Sequence, residues 1–394
     1  MKKILSLSLL LALLLAAPGV LLAQKYKTPA PLKKEMRSFF KRNGAVGVMC
    51  AVVKDNRIVY VGEFGALDTL GTRFSGQHDE VCRLASVSKS YAATAVMCLV
   101  DDGKINLDDD VQKYLGIPVR NPKYPDEPIT VRMFLNHSSS IRDVDNVLTL
   151  ATLDSARNDE WYAHYMDYKP GTHFKYSNLC YNLVASIVEA ASGERFDRFC
   201  NERILKPLEL NASWNPADLD STRFVPLWQY DKNFKHFKRM PASYKGMKNG
   251  GKGYRLVEDA NQFVACGGMK TDIVSLARYM MMHMGDGQLD GVRIISEESS
   301  RLMKTGTIVG DETAGVKRNY GLGLSQYEPG TWVPGKPVTG HRGSIKGLGT
   351  NMHFNQEEGW GICTICNGFT TSSEVVSHEL VRILYKVFIE APAH

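Results

Sequence analysis

The sequence predicts an α+β fold: an antiparallel sheet flanked by helices, carrying an inserted, mostly helical domain. Three observations carry that reading. Two strand-like segments lie near the start, glycine-rich strands return from Tyr320 onward, and the apolar residues between them recur with helical spacing. The 394 residues, 44% hydrophobic and 23% charged, supply enough interior for one large domain or two closely packed ones.

Taken in order, the chain opens with Lys2 and Lys3, an apolar stretch from Ile4 to Ala17, and Leu21-Leu22-Ala23 before Gln24. This reads as an export signal over residues 1–23, cut after Ala23. An uncut anchor is the alternative, but the stretch ends at Pro18, short for spanning a bilayer. No cysteine follows closely, so a lipid anchor is not expected. The mature protein is expected in the periplasm or secreted, without stable membrane insertion.

The first mature helix turns Leu32, Met36, Phe39 and Phe40 inward. Residues 45–53 and 57–64 read as strands joined by Lys54-Asp55-Asn56, a hairpin turn. Helices are expected over residues 86–101, 130–136, 178–192 (stopped by Gly193), 272–284 and 296–304. Strands follow at 320–327, 338–344, 350–355 and 359–367, and a helix over 372–390 closes the chain. The implied division is a discontinuous sheet domain, 24–83 with 256–394, and a helical domain, 84–255. Residues 215–255 form its long loop, rich in lysine, glycine and aromatics.

The formal charge of +6 includes the two leader lysines and has no long uninterrupted run behind it. Nucleic acid is therefore not an expected partner. Eight cysteines are too scattered for a disulfide scaffold, and Cys50, Cys98 and Cys363 sit in apolar runs where a buried thiol is the default. Cys363-Thr364-Ile365-Cys366 is formally a CxxC but stands alone in a strand-like setting. With no HExxH or comparable cluster, neither a metal nor a cofactor is implied.

Chemistry enters at Ser86-Val87-Ser88-Lys89. A serine hydroxyl needs a base within hydrogen-bond reach before it attacks a carbonyl, and residues three apart on a helix share a face. A similar spacing, Ser38-Phe39-Phe40-Lys41, lies on the amphipathic first helix and reads as packing. The Ser86 copy heads a helix that is apolar on most sides (Ala92, Ala93, Ala95, Val96, Leu99), which would bury its lysine, and desolvation lowers a lysine pKa as a base requires. Later comes Tyr176-Ser177-Asn178.

This order resembles the serine β-lactamase and penicillin-binding-protein superfamily, on its class C side. Residues 129–139, ITVRMFLNHSS, resemble the family's "ITIRxLLxHTS", and residues 170–178 resemble "PGxxFxYSN". Cys266-Gly267-Gly268-Met269 resembles "AGGL", Tyr320-Gly321-Leu322-Gly323 resembles "YGLGW", and Gly340-His341-Arg342-Gly343 resembles "GHxG". The resemblance runs over roughly residues 30 to 390. It implies a β-lactamase/transpeptidase-like fold, with Ser86 as the acylated nucleophile and Lys89 and Tyr176 sharing its proton. It also implies Asn178, His341, Arg342 and Gly343 at the substrate, and backbone amides of Ser86 and Ser344 as the oxyanion hole, worth about 3–4 kcal/mol per donor.

Two candidates compete for the third motif. Lys304-Thr305-Gly306 is a literal KTG but ends a helix; His341-Arg342-Gly343 lies on a strand, where the family places it. A histidine there weakens β-lactam hydrolysis and is more like the superfamily's esterases, D-amino-peptidases and acyltransferases. Arg342 offers a fork to a substrate carboxylate, or points away from the cleft. Ser140 stands where relatives carry glycine, which leaves the local turn open. Residues 215–255 are either a lid setting substrate preference or a solvated loop. Gly246 to Gly253 imitates a phosphate loop but lacks its strand and its hydroxyl residue.

The expected function is an acyl-enzyme hydrolase of esters or amides, or a transferase to an alcohol or amine. Its partners are a small-molecule acyl donor and water or an organic acceptor. The alternatives are a class C-like β-lactamase or D-amino-peptidase, and a penicillin-binding sensor without turnover.

Overall fold

The computed structural model describes residues 26–311 and 318–390, so the expected export signal lies outside the described residues. Among the described residues no helix is long and apolar enough to cross a membrane. The architecture is α+β, as expected, with one large, almost wholly antiparallel sheet flanked by helices.

Among the described residues nine strands form one sheet: β1 Gly47–Lys54, β2 Arg57–Gly65, β3 His173–Phe174, β4 Thr307–Asp311, β5 Arg318–Tyr320, β6 Ser325–Tyr327, β7 Val338–Ile345, β8 Leu348–Asn355 and β9 Trp360–Asn367. Their spatial order is β2-β1-β9-β8-β7-β6-β5-β4-β3. All neighbours are antiparallel except the short β4–β3 pair. The β1–β2 hairpin turns through Asp55 (φ 50°) and Asn56 (φ 55°), the two left-handed residues a tight right-twisted hairpin requires.

Helices cover both faces, so the central strands β8 and β9 are buried along their whole length; β9 reads as a largely apolar run, while β8 buries Thr350, Asn351 and His353 among its apolar residues. On one face lie α1 (Ala30–Asn43) and the C-terminal α6 (Ser373–Tyr385), packed with Leu32, Phe39, Trp360 and Leu380. On the other lie α2 (Ser88–Asp101), α3 (Asn178–Ser192) and α4 (Ile273–Met284), with α5 (Glu297–Lys304) beside them. Cys363 joins this second core and Cys366 the first, so the CxxC thiols point to opposite faces of β9.

Helix starts follow the caps that the sequence supplies. The side chains of Ser177, Asp272, Ser296 and Ser372 each accept a backbone N–H from the first turn of α3, α4, α5 and α6, and Gly193 ends α3 in a left-handed conformation.

Three expectations need correction. The helix expected from Ser86 begins as a single 3-10 turn, Ala85–Val87, and becomes α-helical only at Ser88. The strand expected over 320–327 is two short strands, because the chain turns at Gly323 (φ 84°), where a Cβ would lie 2.6 Å from the Ala93 Cβ of α2. The final helix gives way after Tyr385 to a wider turn, Lys386–Glu390.

Candidate active site

The site is built where α2 meets the edge of β7. β6 pairs with β7 only over Val338–Gly340, so the stretch from His341 to Ser344 has a free edge on that side. Ser86 packs against this edge. At Gly343 a Cβ would lie 2.2 Å from the Leu84 carbonyl oxygen and 3.2 Å from the Ser86 amide nitrogen, so only glycine lets the strand approach. Leu84 is fixed in turn: its N–H donates to the Met269 carbonyl (2.8 Å) and its own carbonyl accepts from Thr350 Oγ1 (2.6 Å). Ala85, between them, takes a left-handed φ of 48°, a strain of roughly 1 kcal/mol that aims Ser86 into the cleft.

Lys89 lies beneath Ser86, completely buried. Its Nζ donates to Asn178 Oδ1 and to the Cys266 carbonyl, each at 2.8 Å, and its third position faces Ser86 Oγ at 3.4 Å. The Cys266–Met269 segment thus supplies an acceptor to the lysine, while Met269 N–H donates to Ser88 Oγ (3.0 Å) at the start of α2.

Tyr176 lines the same cleft, its ring centroid 4.7 Å from Lys89 Nζ. His137 brackets it. The His137 carbonyl accepts from Lys175 N–H (2.7 Å), its Nδ1 accepts from Ser177 N–H (3.2 Å), and its ring lies 4.3 Å from that of Tyr176. Burial, and then the charge of Lys89, hold His137 well below the usual histidine range, so it is neutral with its proton on Nε2.

His341 is buried and equally tied. A carbonyl only accepts, so Nδ1–H donates to the Arg342 carbonyl (2.8 Å) and Nε2 accepts from the Tyr320 hydroxyl (2.9 Å). Burial, with the nearby charge of Lys89, brings its pKa down to about 3. Lys304 stands elsewhere, at the end of α5, where Nζ donates to the His283 carbonyl (3.1 Å), Asp286 Oδ1 (2.6 Å) and Gln356 Oε1 (2.6 Å). Of the two third-motif candidates, only His341 is at the cleft.

The cleft encloses about 630 Å³ and is lined by Ser86, Tyr176, Asn178, His341, Arg342 and Ser344. Its outer wall comes from residues 319–331, including Asn319, Gln326 and Glu328. Residues 215–255 contribute nothing to that lining, which favours the solvated loop over the lid. Gly343 is also absent from it, its position being one of close packing against Leu84 and Ser86. Arg342, next to His341 on β7, also lines the cleft, with Nη1 3.8 Å from Glu374 Oε2 of α6.

Asn178 lines the cleft, and each end of its amide holds one partner, which leaves it a lone pair and an N–H to spare. Oδ1 accepts from Lys89, and Nδ2 donates to Asp143 Oδ2 (2.9 Å). Asp143, which sequence reasoning missed, also accepts from Ser177 Oγ (2.9 Å), Asn178 N–H (2.8 Å) and Leu179 N–H (3.0 Å). An acidic side chain facing the N-terminus of α3 was the only available signal. Ser140 keeps the glycine-like turn, with φ 62°, and its Oγ accepts from Asn121 Nδ2 (3.0 Å).

Among the described residues no cluster of His, Cys, Asp or Glu is arranged to hold a metal. The arrangement can activate a hydroxyl: a buried amine faces it, a phenol shares its cleft, and a free strand edge stands opposite.

Comparison with known proteins bears on the family and the fold. A family model described as Beta-lactamase matches residues 32–386. The chain is 27% identical to Penicillin-binding protein 4 of Amycolatopsis lactamdurans over 77% of its own length and 76% of that protein's. It is 28% identical to the D-alanyl-D-alanine-carboxypeptidase/endopeptidase AmpH of Escherichia coli, over 45% of this chain and 48% of the other. The octameric penicillin-binding protein homologue from Pyrococcus abyssi shares the fold, with a TM-score of 0.71 and 24% identity over 90% of this chain and 77% of that one.

Proposed function

The chain belongs to the beta-lactamase family, and on that premise we propose that it is an exported serine hydrolase that forms an acyl-enzyme at Ser86. One observation carries the reading. Two of the three positions on Lys89 Nζ are given to fixed neutral acceptors, and the remaining one, N–H or lone pair, faces Ser86 Oγ.

Ser86 Oγ attacks the carbonyl carbon of an ester or amide, and its proton passes to whichever member of the Lys89–Tyr176 pair is deprotonated. Backbone amides of Ser86 and Ser344 steady the developing oxyanion. The carbonyl then re-forms, the bond to the leaving alcohol or amine breaks, and that group takes a proton from the lysine–tyrosine pair. Tyr176, facing the cleft, is placed to deliver it. Water, or an organic alcohol or amine, then attacks the acyl carbon and gives its proton to the same pair; the bond from that carbon to Ser86 Oγ breaks, and Oγ takes a proton back from the pair.

The substrate class follows from His341. A neutral imidazole with both nitrogens tied supplies no cation of its own for a β-lactam carboxylate, and the Arg342 guanidinium, although it lines the cleft, leans on Glu374 at 3.8 Å. Esters and amides are therefore favoured over β-lactams. The likeness to a D-alanyl-D-alanine carboxypeptidase supports D-configured peptides as a second substrate class. Burst kinetics with an activated ester test the proposal: a burst stoichiometric with enzyme followed by steady turnover is expected. A burst without turnover would make the protein a sensor, and nitrocefin cleavage faster than ester cleavage would make it a β-lactamase.

A further inference from the structure

The net charge of this chain is concentrated in one place. Between Trp228 and Lys252 lie seven basic residues, Lys232, Lys235, Lys238, Arg239, Lys245, Lys248 and Lys252, against a single acidic one, Asp231. The excess of the segment equals the formal charge of the whole protein, +6. All seven are exposed, and within the described residues only Lys238 has an ion-pair partner, Asp231 at 2.6 Å.

The segment is held in a defined shape. Strands Trp228–Asp231 and His236–Arg239 form a hairpin, with the Tyr230 and Phe237 rings 5.2 Å apart across it. Its root is fixed where Trp228 N–H donates to Asn367 Oδ1 (3.2 Å), and beyond it the Tyr244 hydroxyl donates to the Val225 carbonyl (2.6 Å) while its ring stacks on Phe224. At the hairpin tip Phe234 is 69% exposed, between Lys232 and Lys235, and Lys238 Nζ lies 5.0 Å from its ring. The ring's recorded ring and cation contacts, with Lys238 and with His236 (centroids 6.0 Å apart), lie within the hairpin itself, and most of its surface stays in water.

We propose that this hairpin and the basic segment after it dock the enzyme on the surface of an anionic lipid bilayer. The lysines sit at the phosphate level, each worth about a five-fold gain in partitioning, and the Phe234 ring enters the boundary between headgroups and acyl chains. Charge alone would suit any polyanion; the exposed ring at the tip selects a lipid interface. The adsorption is peripheral and reversible, and needs no membrane-spanning helix. The hairpin root packs against Gly347, where a Cβ would lie 1.9 Å from the Trp228 carbonyl oxygen, so docking occurs beside the strand that ends at the cleft.

Flotation of the full chain with vesicles tests this. Vesicles of phosphatidylcholine with about one-third phosphatidylglycerol should carry the protein, pure phosphatidylcholine should not, and raising the salt should release it. Lys232→Glu with Lys235→Glu should lower partitioning at least ten-fold. Phe234→Ser should lower it several-fold while leaving retention on immobilised heparin unchanged, with thermal melts of all variants matching the parent. Vesicle binding indifferent to phosphatidylglycerol or to these substitutions would overturn the proposal. So would heparin retention paired with vesicle binding that ignores Phe234, which would assign the patch to a soluble polyanion.

Discussion

The Asp143 carboxylate holds Asn178 twice through one oxygen, Oδ2 accepting from the Asn178 backbone N–H at 2.8 Å and from its side-chain Nδ2 at 2.9 Å. That contact fixes which way the Asn178 amide is turned, and hence that its oxygen faces Lys89. Asp143→Asn should break the arrangement, because either orientation of the new amide sets an NH₂ group against donors at the start of α3. A fall in kcat/KM of roughly ten- to a hundred-fold and a stability loss of about 1–2 kcal/mol are expected, read by ester kinetics and urea unfolding. Unchanged kinetics would free Asn178 from this role.

Tyr176→Phe should lower kcat about a hundred-fold, the usual scale for losing an acid–base group, with the fold intact. His137→Leu tests the support behind it. It removes the Nδ1 acceptor for Ser177 N–H and alters the ring contact with Tyr176, so kcat should fall about ten-fold with little change in KM for a small ester.

Gly343→Ala should inactivate by displacement. A methyl group 2.2 Å from the Leu84 carbonyl oxygen and 2.1 Å from Thr350 Oγ1 forces β7 away from Ser86. Unfolding should show a loss of about 1–3 kcal/mol, with an activity loss far beyond the unfolded fraction. Full activity in a stable variant would show that the strand does not need this approach.

Acid should unfold the protein through its neutral histidines. Burial first, then the charges of Lys89 and Lys304 respectively, hold His341 and His283 at about 3. An unfolded imidazole titrates near 6.5, so the folded pKa lies below the unfolded one. Their stabilising contribution is full above about pH 6.5 and is lost as pH falls toward about 3, at roughly 1.4 kcal/mol per unit for each histidine. Urea midpoints between about pH 7 and about pH 4.5 should show this slope, and His283→Leu should make it shallower.

The sequence disclosed what is local. Ser86 and Lys89 are one helical turn apart, Tyr176 and Asn178 are two residues apart, and the helix starts carry their own caps, so short patterns sufficed. What it hid depends on contacts distant in sequence. Asp143 meets Asn178 across 35 residues from an irregular loop, and nothing in its neighbourhood repeats. The tie between Tyr320 and His341 arises only when β5 and β7 come together in the sheet. β3 and β4 are too short or too weakly patterned to be read as strands. Residues 215–255 left both a lid and a solvated loop open, because their aromatics and lysines suit either; Trp214 beside them is core, and the lysines are exposed and outside the cleft lining.

Mass spectrometry of the enzyme quenched during turnover of an activated ester is the most direct test of the central claim. One acyl group should appear on the peptide containing Ser86, and both adduct and turnover should vanish in Ser86→Ala. An acyl group on any other residue, or turnover surviving Ser86→Ala, would contradict it.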